Sequence, residues 1–379
     1  SDWSDTAILE KVGAWILPTM LRSDVERYWI IDDTGFPKKG QHSVGVARQY
    51  CGQLGKQDNC QVAVSLSLAT EAASFPIAWR LYLPEAWTQD AERRLRAGVP
   101  ETVQFLTKPE IALAQVKAAQ AAGTPGGIVL ADAGYGNDTE FRDGLTEIGA
   151  VYAVGVQGTT SVWAPGQQPL PPKPWSGVGR KPRLLRRDAE HQPVSVKALA
   201  IGLPAMDYRL INWRAGSNTD LSSRFAAVRV RAAHRDHWRA ELRDEEWLLI
   251  EWPEGQSEPE KYVLSTLPAD TPLERLVAAT KMRWRIERDY QDLKQEFGLA
   301  HYEGRGWRGF HHHATLCIAA YGFLVAERLR HKDTKKNALF GSQPALSEDY
   351  VPRGRSTCPA ARSQFDLDVT VDHRSDSGQ

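Results

Sequence analysis

Apolar side chains recur at Ile8, Leu9, Val12, Trp15, Ile16 and Met20, the spacing of one helix face, and predict an amphipathic helix over residues 6–22. From Tyr28 the period changes to that of strands: Tyr28 to Asp32, Ser43 to Tyr50, and Cys60 to Leu68, where Val62, Val64, Leu66 and Leu68 alternate with Ala and Ser. Gly35, Pro37 and Gly40 mark a first turn and Gly52 and Gly55 a second, so the three runs read as a meander. A fourth strand is expected at Ile77 to Leu83, before an arginine-rich stretch at Arg93 to Arg96. A helix follows over 109–122, opened by Pro109 and closed by Gly123. Strand Ile128 to Asp132, helix Thr139 to Ile148 and strand Val151 to Val156 complete a pattern that predicts a mixed α/β sheet.

Residues 159–265 read differently. Pro165 to Pro182 holds six prolines and three glycines. Short strand-like runs follow at Val194 to Ala198, Tyr208 to Trp213, Phe225 to Val230, Trp247 to Trp252 and Tyr262 to Leu264, and predict a mostly β insertion that splits the core. Helices return from Pro272 to Phe297 and from Ala314 to Leu329. The expected organisation is a short N-terminal helical region (1–25), a first part of the core (26–158), the β-rich insertion (159–265), core helices (266–332) and a polar tail (333–379) expected to lack order.

Length permits a large buried core. Lysine and arginine total 47 against 47 aspartate and glutamate, so no global basic field exists and any nucleic-acid contact must come from local clusters. The four cysteines, Cys51, Cys60, Cys317 and Cys358, form no C-x-x-C pair, which argues against a zinc ribbon or disulfide framework. The longest apolar stretch, Ala314 to Ala326, is too short to span a bilayer. A soluble, cytoplasmic protein without membrane partners is the expectation. The first residue is Ser1, so a segment upstream is expected to be missing.

Three carboxylates carry the candidate chemistry. Asp32 closes the apolar run Tyr28-Trp-Ile-Ile31, Asp132 closes Ile128-Val-Leu-Ala131, and Glu287 lies in a charged helical stretch. Strand-end carboxylates are held rigidly, and two of them with one from a helix can converge on divalent ions. Each aspartate is followed by glycine that can bring backbone close to a ligand. A lone aspartate after a strand is most often a turn or cap residue; two of them, each after a buried run and followed by glycine, bring that reading level with the functional one. Side chains alternate along a strand, so only one of Asp32 and Asp33 is expected to face a site. On the helix, Ile286, Tyr290, Leu293 and Phe297 form the buried stripe, and Arg283, Glu287 and Lys294 project within about 40° of one another beside it. That is an ordinary boundary salt-bridge pattern, about 0.3 to 0.5 kcal/mol per exposed pair, or a metal-binding carboxylate between two phosphate-binding cations.

Arg283, Glu287 and Lys294 stand at the intervals of the Tyr-Arg-Glu-Lys signature of bacterial insertion-sequence transposases of the DDE superfamily, with Thr280 where that signature has Tyr. The stretches Ile31-Asp-Asp-Thr-Gly-Phe-Pro-Lys-Lys-Gly-Gln-His-Ser-Val-Gly-Val-Ala-Arg-Gln-Tyr50 and Trp284-Arg-Ile-Glu-Arg-Asp-Tyr290 resemble the IS-seven-hundred-one type branch. The resemblance implies a ribonuclease-H-like core with a β-rich insertion between the second Asp and the Glu. It selects Asp32 over Asp33 and implies that Asp32, Asp132 and Glu287 hold two magnesium ions, with manganese as a substitute. It further implies cutting and joining of double-stranded DNA at element ends and target, a homodimer in the DNA complex, and a nucleoid-associated place in a bacterial cytoplasm. A helical DNA-binding region precedes the first strand in that family; few residues precede Tyr28 here.

Candidate DNA contacts are Arg283 and Lys294, Lys38 and Lys39 near Asp32, and a basic, proline-rich stretch with Lys173, Trp175, Arg180, Lys181, Arg183, Arg186 and Arg187. That stretch reads equally as a solvated loop. Arg305 and Arg308 flank Trp307, which packing on the core would explain as well. His311-His-His313 lacks the spacing of a helical zinc pair. Two other functions fit the same residues: a DNA-binding derivative without catalysis, and a ribonuclease-H-like nuclease that cuts without joining.

Overall fold

The computed structural model describes residues 3–21, 25–214 and 221–340, with backbone alone for Arg214 and residues 332–340. The described residues up to Thr334 form one compact unit. The elements are α1 (Asp5–Met20), β1 (Tyr28–Pro37), β2 (Ala47–Cys51), β3 (Lys56–Ala69), β4 (Ser74–Leu81), α2 (Glu85–Thr88), α3 (Ala91–Ala97), α4 (Lys108–Ala121), β5 (Ile128–Ala131), α5 (Ala133–Gly136), α6 (Thr139–Glu147) and β6 (Tyr152–Val156). They continue with β7 (Ser161–Trp163), β8 (Val194–Ser195), α7 (Val196–Gly202), β9 (Arg209–Arg214), β10 (Leu221–Ala232), β11 (Glu246–Trp252), β12 (Lys261–Ser265), α8 (Leu273–Lys281), α9 (Trp284–Gln295) and α10 (Trp307–Phe340).

The fold is a mixed α/β sheet flanked by helices. β3 pairs antiparallel with β1 and β4, while β5 pairs parallel with β1 and β6 parallel with β5. Three antiparallel strands followed by two parallel to the first is the ribonuclease-H-like arrangement. β12 then pairs antiparallel with β6, and β11 and β10 follow, so the strands of residues 159–265 extend the core sheet. A second apolar cluster, including Val196, Ala200, Tyr208, Leu248 and Ile250, packs α7 on that extension.

Burial on both faces shapes the central strands. Ile30 and Ile31 are fully buried, each contributing about 2 kcal/mol. In β3 every residue from Cys60 to Ala69 is buried. The alternation of large and small residues is therefore between two covered faces, not between core and solvent. Small Ser65 lies under α9, where its Oγ meets the Tyr290 hydroxyl at 2.8 Å. On α4, opened by a capping box of Thr107 and Glu110, Gln115 donates to the Val64 carbonyl at 3.1 Å.

Several elements depart from the sequence expectation. β1 does not end at Asp32 but continues to Pro37, in register with β3 from Tyr28 opposite Ala69 to Pro37 opposite Cys60. Gly35 and Pro37 are strand residues, because the long β3 supplies a partner along the whole run. Residues 196–198, expected as strand, open helix α7, capped by Ser195. The expected helix over 272–297 is two helices broken at Met282 and Arg283. The tail expected to lack order from 333 begins as helix, since α10 continues to Phe340; its remainder lies outside the described residues. Among the described residues no helix is long and apolar enough to cross a membrane.

Candidate active site

The three candidate carboxylates line one cavity of about 950 Å³. Each comes from a different element. Asp32 is mid-strand in β1, Asp132 follows β5 as the N-cap of α5, and Glu287 is in the first turn of α9. The cavity opens where the sheet parts: β1 and β5 pair only as far as Ile30 and Leu130, so the edge of β1 beyond Ile30 is uncovered.

That edge also resolves the neighbouring aspartates. Asp32 is opposite Ser65 and points to the α9 face, where its Oδ2 meets Arg283 at 3.4 Å. Asp33 points to the other face, where its Oδ2 accepts from Lys108 Nζ at 3.0 Å and the Tyr135 hydroxyl at 3.2 Å. Alternation holds, yet both line the cavity because it wraps around an open strand edge. The expectation that only one would do so is corrected on that point.

Two of the glycines allow close packing between protein segments. A Cβ on Gly35 would stand 2.7 Å from Cys51 Sγ, and one on Gly136 would stand 2.0 Å from the Gly155 carbonyl of β6. Gly136 thus lets α5 lie against the sheet and keeps Asp132 at the cavity. The Asp132 Oδ1 accepts from Gly134 N at 2.8 Å, so its cap role and its place at the cavity coexist.

Burial pushes the Asp32 carboxyl up to about 7; Arg283 opposes this, and the Asp132 and Asp33 charges reinforce it. Arg283 also pairs with Glu287 Oε1 at 3.1 Å. Lys294 donates to the Gly35 carbonyl at 2.8 Å and to Gln53 Oε1 at 3.1 Å, and burial lowers its ammonium to about 8.

All three acids offer hard oxygen donors, and the Asp32 anion, disfavoured chiefly by burial, is the kind of group a divalent cation stabilises. As the side chains stand, no three acidic, histidine or cysteine groups among the described residues are near enough for a metal shell. Arg283 holds Asp32 and Glu287 to itself. The Glu287 side chain is 63% exposed and can turn without loss of packing, so the donor set fits.

Of the predicted DNA contacts, Arg283 and Lys294 line the cavity; Lys38, Lys39, Trp175, Arg180, Lys181 and Arg183 do not. The Lys38 ammonium is bonded to the Tyr302 carbonyl, which corrects its expected position beside the carboxylates; Lys39 is exposed. Trp175 is half exposed, its Nε1 donating to Gly179 O at 3.2 Å, and Arg180, Lys181 and Arg183 are exposed. Arg187 is instead structural, paired with the buried Asp236 at 2.5 Å. His311, His312 and His313 address Trp307, Trp3 and Gly298 carbonyls respectively.

Sequence reasoning missed Lys108, Tyr135, Gln291 and Gln295, which also line the cavity. The two glutamines, four and eight residues after Glu287 on the same helix, were legible from its period. Lys108 carried no such signal; its place depends on how α4 packs on β3.

Fold and site together define a ribonuclease-H-like α/β domain with a carboxylate-lined cavity. A family model described as DDE superfamily endonuclease matches residues 1–220, more than half the chain, and the chain belongs to that family. That match includes Asp32 and Asp132 and stops before α9. A relative from Microchaete diplosiphon, described as "Probable transposase for insertion sequence element IS701", is 38% identical over 129 residues, 34% of this chain. The aligned part spans 31% of that relative's length.

Proposed function

We propose that this chain is a DNA transposase that cuts and joins strands at the ends of an insertion sequence. In this reading Asp32, Asp132 and Glu287 hold two magnesium ions. Bound there, such ions would activate a water or 3′-hydroxyl and stabilise the leaving 3′-oxygen. One observation carries the reading: carboxylates from β1, the end of β5 and α9 line a single cavity. The family membership and the named relative support it.

The chain's own residues have distinct parts. β1, paired with β3 along its length, holds Asp32 in a fixed frame. Lys108 from α4 and Arg283 and Lys294 at α9 place positive charge on both walls of the cavity, where phosphates flanking the scissile bond would lie. The exposed Trp175 stretch serves as a more distant DNA contact, and a homodimer would engage two element ends.

The test is strand cleavage and joining of DNA carrying the element's ends, with magnesium. Asp32→Asn, Asp132→Asn and Glu287→Gln should each reduce cleavage by at least about a thousandfold, a loss of about 4 kcal/mol of transition-state stabilisation, while DNA binding persists. Undiminished cleavage in the three variants would remove the assignment. Cleavage without joining would favour a simple nuclease, and binding without cleavage a non-catalytic derivative.

A further inference from the structure

Arg283 stands within the carboxylate cluster, not beside it. Its Nη1 reaches Asp32 Oδ2 at 3.4 Å and its Nη2 reaches Glu287 Oε1 at 3.1 Å, so one guanidinium ties a strand carboxylate to a helix carboxylate. This differs from an ordinary surface pair, because the Asp32 side chain is only 16% exposed. Arg283 is placed for it by the break between α8 and α9: its φ of −56° and ψ of −29° keep helical phase with Glu287 four residues on.

A dication shared by these carboxylates would need the same oxygens as ligands. The guanidinium, on the same two oxygens, would then repel it strongly. Arginine does not lose its proton in proteins, so the conflict can be relieved only by movement. Space exists for it. Arg283 borders both the carboxylate cavity and a neighbouring one of about 600 Å³, and the two share Asp132, Gly134 and Glu287. A phosphate is the natural destination, since its oxygens match the guanidinium fork.

We propose that Arg283 is a displaceable internal cation, holding Asp32 and Glu287 until a DNA phosphate draws it away, so that metal and DNA are taken up as linked events. This rests on the transposase reading for the identity of the metal-holding acids. Linkage is reciprocal: DNA raises metal affinity by the factor by which metal raises DNA affinity. The arrangement also limits metal-dependent cutting of whatever lies nearby before DNA is seated.

The test is Mn2+ binding to the full chain without DNA, followed by the paramagnetic resonance of the free ion, for wild type, Arg283→Gln, Arg283→Lys, Asp32→Asn and Arg283→Gln combined with Asp32→Asn. Arg283→Gln should bind Mn2+ at least about tenfold more tightly than wild type. Arg283→Lys should fall between them, because one ammonium cannot hold both carboxylates as the fork does; it also serves if the Gln variant fails to fold by circular dichroism. A mixed-sequence duplex at low salt should raise the Mn2+ affinity of wild type and leave that of Arg283→Gln almost unchanged. Equal Mn2+ affinity of wild type and both Arg283 variants, with Asp32→Asn weak, would overturn the linkage and leave the metal site standing. Arg283→Gln combined with Asp32→Asn binding Mn2+ as Arg283→Gln alone does would instead overturn the metal-site reading.

Discussion

Lys294 shows how far surroundings change a single residue. Its ammonium is buried against Gly35 and Gln53 and lies 5.0 Å from the centre of the Phe36 ring. Desolvation favours the neutral amine, which brings its pKa down to about 8. A phosphate would favour the charged form, so binding DNA should draw in a proton wherever the free amine is neutral. The sign follows: affinity is highest below pH 8 and declines above it. Between pH 7 and pH 9 wild-type DNA affinity should fall about tenfold, whereas Lys294→Arg, charged throughout, should lose much less. Fluorescence anisotropy with a labelled duplex at both pH values would measure it, and equal losses would exclude a phosphate contact at Lys294. The candidate charge was legible from spacing; its depressed pKa was not, since Gly35, Phe36 and Gln53 come from elsewhere in the chain.

At the scale of elements, α9 is held from behind. Asp289 accepts from the Ser74 hydroxyl of β4 and from Tyr321 of α10 at 2.7 Å, and Tyr290 meets Ser65 of β3 at 2.8 Å. Glu287 faces the opposite way, into the cavity. Asp289 is 2% exposed, and burial raises its carboxyl to about 6. Asp289→Ala would leave two buried hydroxyls without their acceptor and should cost about 3 kcal/mol in denaturant unfolding. Asp289→Asn, which keeps an acceptor, should cost less. Cleavage should weaken in the same order, because the helix that carries Glu287 loses its anchor. The buried stripe Ile286, Tyr290 and Leu293 followed from helical period alone, while the burial of Asp289 and Asp292 did not. A charged residue enters a core only when partners meet it there, and Ser74, Tyr321 and Arg328 are remote in sequence.

Across the whole molecule, charge is balanced at 47 against 47, so any attraction for the proposed DNA substrate must be local. The structure places three of those local charges, Lys108, Arg283 and Lys294, around the carboxylate cavity. Each phosphate contact removed should reduce the slope of log affinity against log salt by about 0.9. Lys108→Gln and Lys294→Gln should therefore each lower it by about that amount, and the double variant by about twice as much. Affinity measured across a salt series checks this, and an unchanged slope would move the DNA path away from the cavity. The exposed Arg180, Lys181 and Arg183 provide the alternative path for comparison.

Local pattern was enough to locate most strands and helices, the mixed α/β class and the two apolar runs that lead to Asp32 and Asp132. Period and turn chemistry are properties of neighbours in sequence, so these features could be read directly. Tertiary structure decided that β1 runs past Asp32, that the sheet parts beyond Ile30, and that α4 brings Lys108 to the cavity. It also decided that Arg283 bridges two acids while Lys38 is bonded elsewhere. Strand pairing, sheet-edge exposure and ion-pair choice each depend on which remote segments come together, and the chain specifies that only by folding.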